Sequence, residues 1–142
     1  MFADSLLRVE QIHLFRLLVW GAASVLAGTL VGVAVVWRRP ATALLRQFAI
    51  QLVVWGALEM IYVAVAWHGL RLPDLAAATR LDRHLWFALG LEVGGIGLGG
   101  ALVAVGAGRN QRPGLVGAGM AVILQCMALL LIDARLAALI SR

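Results

Sequence analysis

The chain has 142 residues, of which 63% are hydrophobic and only 13% charged, and its mean hydropathy is +0.95. A soluble globular domain carries about 25% charge, so the composition excludes one and points to a single integral membrane domain over residues 1–142. The net charge of +5 comes from arginine, with no lysine, and the arginines gather at the ends of apolar runs, which directs them to phospholipid headgroups rather than nucleic acid.

Residues Met1 to His13 are mixed, with Asp4, Arg8 and Glu10. Two acids, followed by a charge-free run from Leu17 to Trp37, argue against a cleaved signal peptide. The run reads as a first transmembrane helix over about 14–37. Its Gly21, Ser24, Gly28 and Gly32 put a groove of small residues on one face. Arg16 sits one turn inside its start, where it can snorkel outward or pair with a neighbour.

Trp37-Arg38-Arg39-Pro40 is an abrupt stop: an interfacial aromatic, two charges and a residue that cannot continue a helix interior. Thr42 can cap the second helix, 43–67, so helices one and two should be antiparallel neighbours. Gln47, Gln51, Trp55 and Glu59 follow at four-residue steps and form one ridge, which a lipid-facing helix would not carry. Trp37, Trp67 and Trp86 fall where belt tryptophans belong, whereas Trp55 lies near mid-span and is read as packing inside the bundle.

His68 to Asp74 forms the only substantial loop, and Pro73-Asp74 suits the start of a third helix whose charged first part precedes its span at 85–105. That span carries glycine at 90, 94, 95, 97, 99 and 100 and one carboxylate, Glu92. An acid at the centre of a span costs about 2.5–3.5 kcal/mol on insertion scales, so it needs compensation. Gly90, Gly94, Gly95 and Gly99, like Gly28 and Gly32, are expected to let neighbouring helices close on the backbone. After a polar turn at 106–114, the fourth helix spans 115–140 and contains Gln125, Cys126, Asp133 and Arg135.

The expected architecture is an all-α, up-down, four-helix transmembrane bundle with both termini on one side. Arginine counts on the two sides are too close to orient it. At about 1.5 Å per residue, Glu59, Glu92 and Asp133 fall in the half of the membrane nearest the termini, where Arg16 and Arg135 also enter. Gln125 lies near the midplane, and Gln51 continues the polar track beyond it.

These eight positions, Glu59, Glu92, Asp133, Gln125, Gln51, Trp55, Arg16 and Arg135, are a candidate buried polar cluster. It reads either as a structural network of acids paired with arginines or as a site for a ligand, cation or proton. His13, His68 and His84 stand at helix ends without ligand spacing within any one helix, so a metal or haem role has little support and no cofactor is strongly implied. The single Cys126 permits no intrachain disulfide, and no phosphate-binding loop, zinc-finger spacing or nucleophile elbow supports an enzyme.

Trp55-Gly56, Leu91-Glu92-Val93-Gly94, Leu124-Gln125 and Leu130-Leu131-Ile132-Asp133 together resemble a bacterial family of small four-helix membrane proteins of unknown function, over residues 47–140. The family tends to carry Asn where this chain has Glu59 and Asp where it has Glu92. The resemblance implies a four-helix bundle in the bacterial cytoplasmic membrane and singles out Glu92, Gln125 and Asp133; it supplies no activity. The expectation is therefore a non-enzymatic structural, interaction or ligand-binding subunit, associating with itself or another membrane subunit. The alternatives are a proton, cation or small-solute transporter or channel, and a haem or redox subunit.

Overall fold

The structure is a computed structural model that describes residues 2–37, 42–70, 75–108 and 111–140. The turn residues Arg38, Arg39 and Pro40, the Pro73-Asp74 helix start, and Arg71, Arg109 and Arg142 lie outside the described residues.

The described residues form four helices: α1, Phe2–Trp37; α2, Ala43–Gly69; α3, Leu75–Ala107; and α4, Pro113–Ile140. Each is long and apolar enough to cross a membrane. α1 starts well before the apolar run, because nothing between Phe2 and His13 breaks a helix and Asp4 in the first turn suits the positive end of its dipole. α4 starts at Pro113, whose fixed φ and missing N–H fit the first helical position. Thr42 caps α2, its hydroxyl accepting from the Leu45 N–H at 3.4 Å. Thr42→Ala is expected to cost about 0.5–2 kcal/mol, read as a lower melting temperature in detergent.

Glycine contacts give the directions of the helices. Gly21 meets Gly56 and Gly28 meets Ala49, so α1 and α2 are antiparallel. Gly99 meets Gly119 and Gly106 meets Val116, so α3 and α4 are antiparallel too. Gly117 on Leu44 and Gln125 on Glu59 make α2 and α4 parallel. Phe2 and Ile140 consequently lie at the same end of an up-down bundle.

The packing order differs from chain order. α4 sits against α1, α2 and α3, whereas α3 meets α4 alone among the described helices. A small apolar core of Leu14, Leu17 and Val63 holds α1 to α2, with Leu129 and Ile132 of α4 against it. Large apolar side chains elsewhere face outward, such as Leu30 at 70% exposed and Leu131 at 71%. Such a surface suits lipid and is far larger than water tolerates. Trp37, Trp67 and Trp86 are exposed, consistent with a belt position.

The one-sided attachment of α3 corrects the expectation for its glycines. Gly95 and Gly99 pack on α4, against Cys126 and against Ile123 and Gly119. A Cβ on Gly90, Gly94, Gly97 or Gly100 would meet no described atom of another helix within 4 Å. At about 100° per residue, Gly90, Gly94 and Gly97 project opposite to the α4-facing side, so they pack on no other described helix. On α1, Gly28 closes on the Ala49 carbonyl, and Gly32 rests more loosely on the Ala49 side chain.

Candidate functional site

The polar residues of the four helices converge on one cavity of about 290 Å³. α1 contributes Glu10, His13, Leu14 and Leu17, which recur at three- and four-residue steps and therefore share a face. α2 contributes Trp55, Leu58, Glu59 and Tyr62 by the same spacing, and α4 contributes Leu129, Asp133 and Leu136. From α3 come His84, Leu85 and Glu92, all on the side turned to α4.

The acids are deeply placed. Glu59, Glu92 and Asp133 are 9%, 7% and 8% exposed, and Gln125 behind them is 1% exposed. The Gln125 amide donates to Glu59 Oε1 at 2.9 Å, and its carbonyl accepts from the Ser24 hydroxyl at 3.3 Å. One chain of hydrogen bonds thus ties α1, α4 and α2 together and fixes the amide orientation. Asp133 Oδ1 stands 3.5 Å from His13 Nε2, linking α4 to α1, and the Glu92 and Asp133 carboxyls are close enough to share a hydrogen bond.

Satisfaction is incomplete. Glu59 Oε2, Glu92 Oε2, Asp133 Oδ1 and His13 Nδ1 are buried without a hydrogen-bonding partner among the described residues. Buried polar groups are normally paired, and an unpaired one costs about 1–3 kcal/mol, more when charged. Two neighbouring carboxyls add to this, because both cannot be ionised at short range without repulsion unless a proton or another positive charge lies between them.

The structure brings Glu59, Glu92, Asp133 and Trp55 to the cavity wall, with Gln125 outside the lining and bonded to Glu59. It separates the arginines from them. Arg16 is half-buried and Arg135 exposed, and among the described residues neither forms an ion pair with these acids. Matching depth does not set direction: the cavity lies on the faces of Glu10, His13 and Leu17 on α1 and of Asp133 on α4, and Arg16 and Arg135 are absent from its lining. Gln51 is half-buried and also outside the cavity. Trp55 is 38% exposed at the cavity wall and does not pack in the core, because α2 and α3 do not touch on that side.

Glu10, Tyr62 and the hydrogen-bonding role of Ser24 escaped the sequence reading. Tyr62 is the next residue of the Trp55–Glu59 ridge at helical spacing, and Glu10 shares the spacing of His13 and Leu17, so periodicity carries a signal for both. His13 and His84 reach the cavity from different helices, while His68 is exposed at the end of α2. Among the described residues no three His, Cys, Asp or Glu groups have the geometry of a metal site.

No curated protein and no solved structure matches the chain. A family match covers residues 16–134, the stretch that supplies Glu59, Glu92, Gln125 and Asp133, and by it the chain belongs to the Family of unknown function (DUF6992).

Proposed function

We propose that this protein is a small non-enzymatic membrane bundle whose acid-lined cavity binds a cation, and that it works in the bacterial cytoplasmic membrane. The observation that carries the reading is the composition of the cavity wall. Four acids, Glu10, Glu59, Glu92 and Asp133, face it, with no arginine or lysine among its described lining residues. In a low-dielectric setting uncompensated carboxylates focus a negative potential and attract positive charge. An arginine-paired structural network would have been neutral.

A ligand that binds only the folded state stabilises it by about 2.7 kcal/mol at one hundred times its Kd. Melting of the detergent-solubilised protein against a panel of sodium, potassium, calcium, ammonium and tetramethylammonium salts should raise the wild-type transition with at least one cation. Glu92→Gln should remove that rise. If every cation shifts the wild type and Glu92→Gln equally, the reading fails.

A second reading, transport of the bound cation or of protons, rests on the attachment of α3 through α4 alone. A wall helix held by one neighbour can move with little loss of packing. Flux into protein-loaded liposomes, abolished by Glu92→Gln, is its expected signature. Self-association would use the bare outer face of α3, where Gly90, Gly94 and Gly97 permit close approach by another membrane helix.

A further inference from the structure

We infer that the cation received by this cavity is an amphiphilic organic monocation, a quaternary or protonated amine on an apolar body, taken up from the lipid between α2 and α3. This rests on the cation-binding reading and narrows it.

The charge requirement comes from Glu59 and Glu92, each about nine-tenths buried, lining the cavity and holding an oxygen that nothing among the described residues satisfies. The apolar requirement comes from the rest of the wall, where Leu14, Leu17, Leu58, Leu85, Leu129 and Leu136 outnumber the acids. A hard cation such as calcium takes six to eight oxygen ligands. These leucine walls do not supply them, and the described residues hold no metal-like cluster. A volume of about 290 Å³ lies at the small end of the usual range for organic ligands, about 300–1,000 Å³.

Trp55 and Tyr62 refine the class. They stand seven residues apart, about two helical turns, on the cavity side of α2, and they are 38% and 48% exposed. Ring faces beside carboxylates suit an alkylated ammonium, whose diffuse charge gains from cation–π contact and loses little hydration. Their exposure, with α3 making no approach to α2, leaves the cavity open sideways. In a bilayer that opening faces acyl chains, which concentrate amphiphiles and exclude hydrated inorganic ions.

The test uses the full chain in maltoside detergent and equilibrium dialysis with octyltrimethylammonium, with octyl sulfate and sodium as comparisons. Octyltrimethylammonium should bind saturably and octyl sulfate should not. Glu92→Gln should weaken binding at least tenfold. Trp55→Leu and Tyr62→Leu should each weaken it roughly 2- to 30-fold, the range of one cation–π contact, with Tyr62→Phe near wild type. Trp86→Leu, exposed on α3 away from the cavity, should change nothing. Trp55 and Tyr62 are partly exposed, so these variants keep the fold if Glu92→Gln does not.

Sodium binding that depends on Glu92, without competition by octyltrimethylammonium, overturns the organic-cation inference and leaves the cation-binding reading standing. Equal uptake of octyl sulfate and octyltrimethylammonium, indifferent to Glu92→Gln, is partition into the micelle and overturns both.

Discussion

Gly119→Ala is expected to destabilise the bundle by about 1–3 kcal/mol, whereas Gly94→Ala should leave stability unchanged or raise it by up to about 1 kcal/mol through helix propensity. The two glycines are chemically identical, and the helix crossing separates them. A Cβ on Gly119 would stand 2.5 Å from the Gly99 carbonyl oxygen and 2.9 Å from the Val103 amide nitrogen. Both neighbours are backbone, so no side chain can rotate away and α3 must move off α4, its only support among the described helices. A Cβ on Gly94 would meet no described atom of another helix within 4 Å. Gly95→Ala is an internal control, since its new methyl meets the Cys126 thiol, which can turn aside. Thermal melting in detergent ranks the three; equal losses at 119 and 94 would mean the crossing does not limit the approach of the helices. Gly94→Leu, followed by its elution volume, tests whether a second chain uses the outer face of α3.

The bundle was legible in the sequence because each of its determinants is local. Four apolar runs, a threonine cap and glycines at fixed spacing act within one or two helical turns, and the structure has four helices over those runs, with the starts of α1, α3 and α4 earlier than the apolar runs and the ends of α2 and α3 two residues later. Depth was legible too, since rise per residue is constant, and it brought Glu59, Glu92 and Asp133 to one level. Rotation between helices was not. Whether Arg16 faces the acids depends on which neighbour α1 presents that face to, and this follows from the α1–α2–α4–α3 packing order, which no single segment encodes. The same order explains the two fates of the α3 glycines: the spacing shows small faces on both sides of that helix, but only α4 decides which is filled. Trp55 follows suit, half-exposed because α3 packs on α4 and not on α2.

Gln125→Leu is expected to cost about 1–3 kcal/mol or more, because it removes the one hydrogen-bond donor to a buried carboxyl group and leaves Glu59 without a partner on either oxygen. The Ser24 hydroxyl loses its acceptor in the same substitution. The double variant Glu59→Leu with Gln125→Leu should recover most of that loss, since replacing both members of a buried polar pair by apolar groups of similar size is close to neutral. Neighbours that share one hydrogen bond are non-additive by about 0.5–3 kcal/mol, so the cycle is measurable by melting or denaturant titration. If the double variant is less stable than the worse single one, the pair is not the unit described here. Recovery of stability also separates the two roles of Glu59. An acid kept only to tie α2 to α4 becomes dispensable once leucines replace the pair, and cation-dependent stabilisation should then persist through Glu92 and Asp133 at wild-type strength. An acid that shares the bound charge leaves a different trace: a bundle that melts like wild type without cation and gains less from it. The second pattern is expected, because Glu59 is one of the residues lining the cavity and its Oε2 has no partner among the described residues, while Oε1 serves the Gln125 bond.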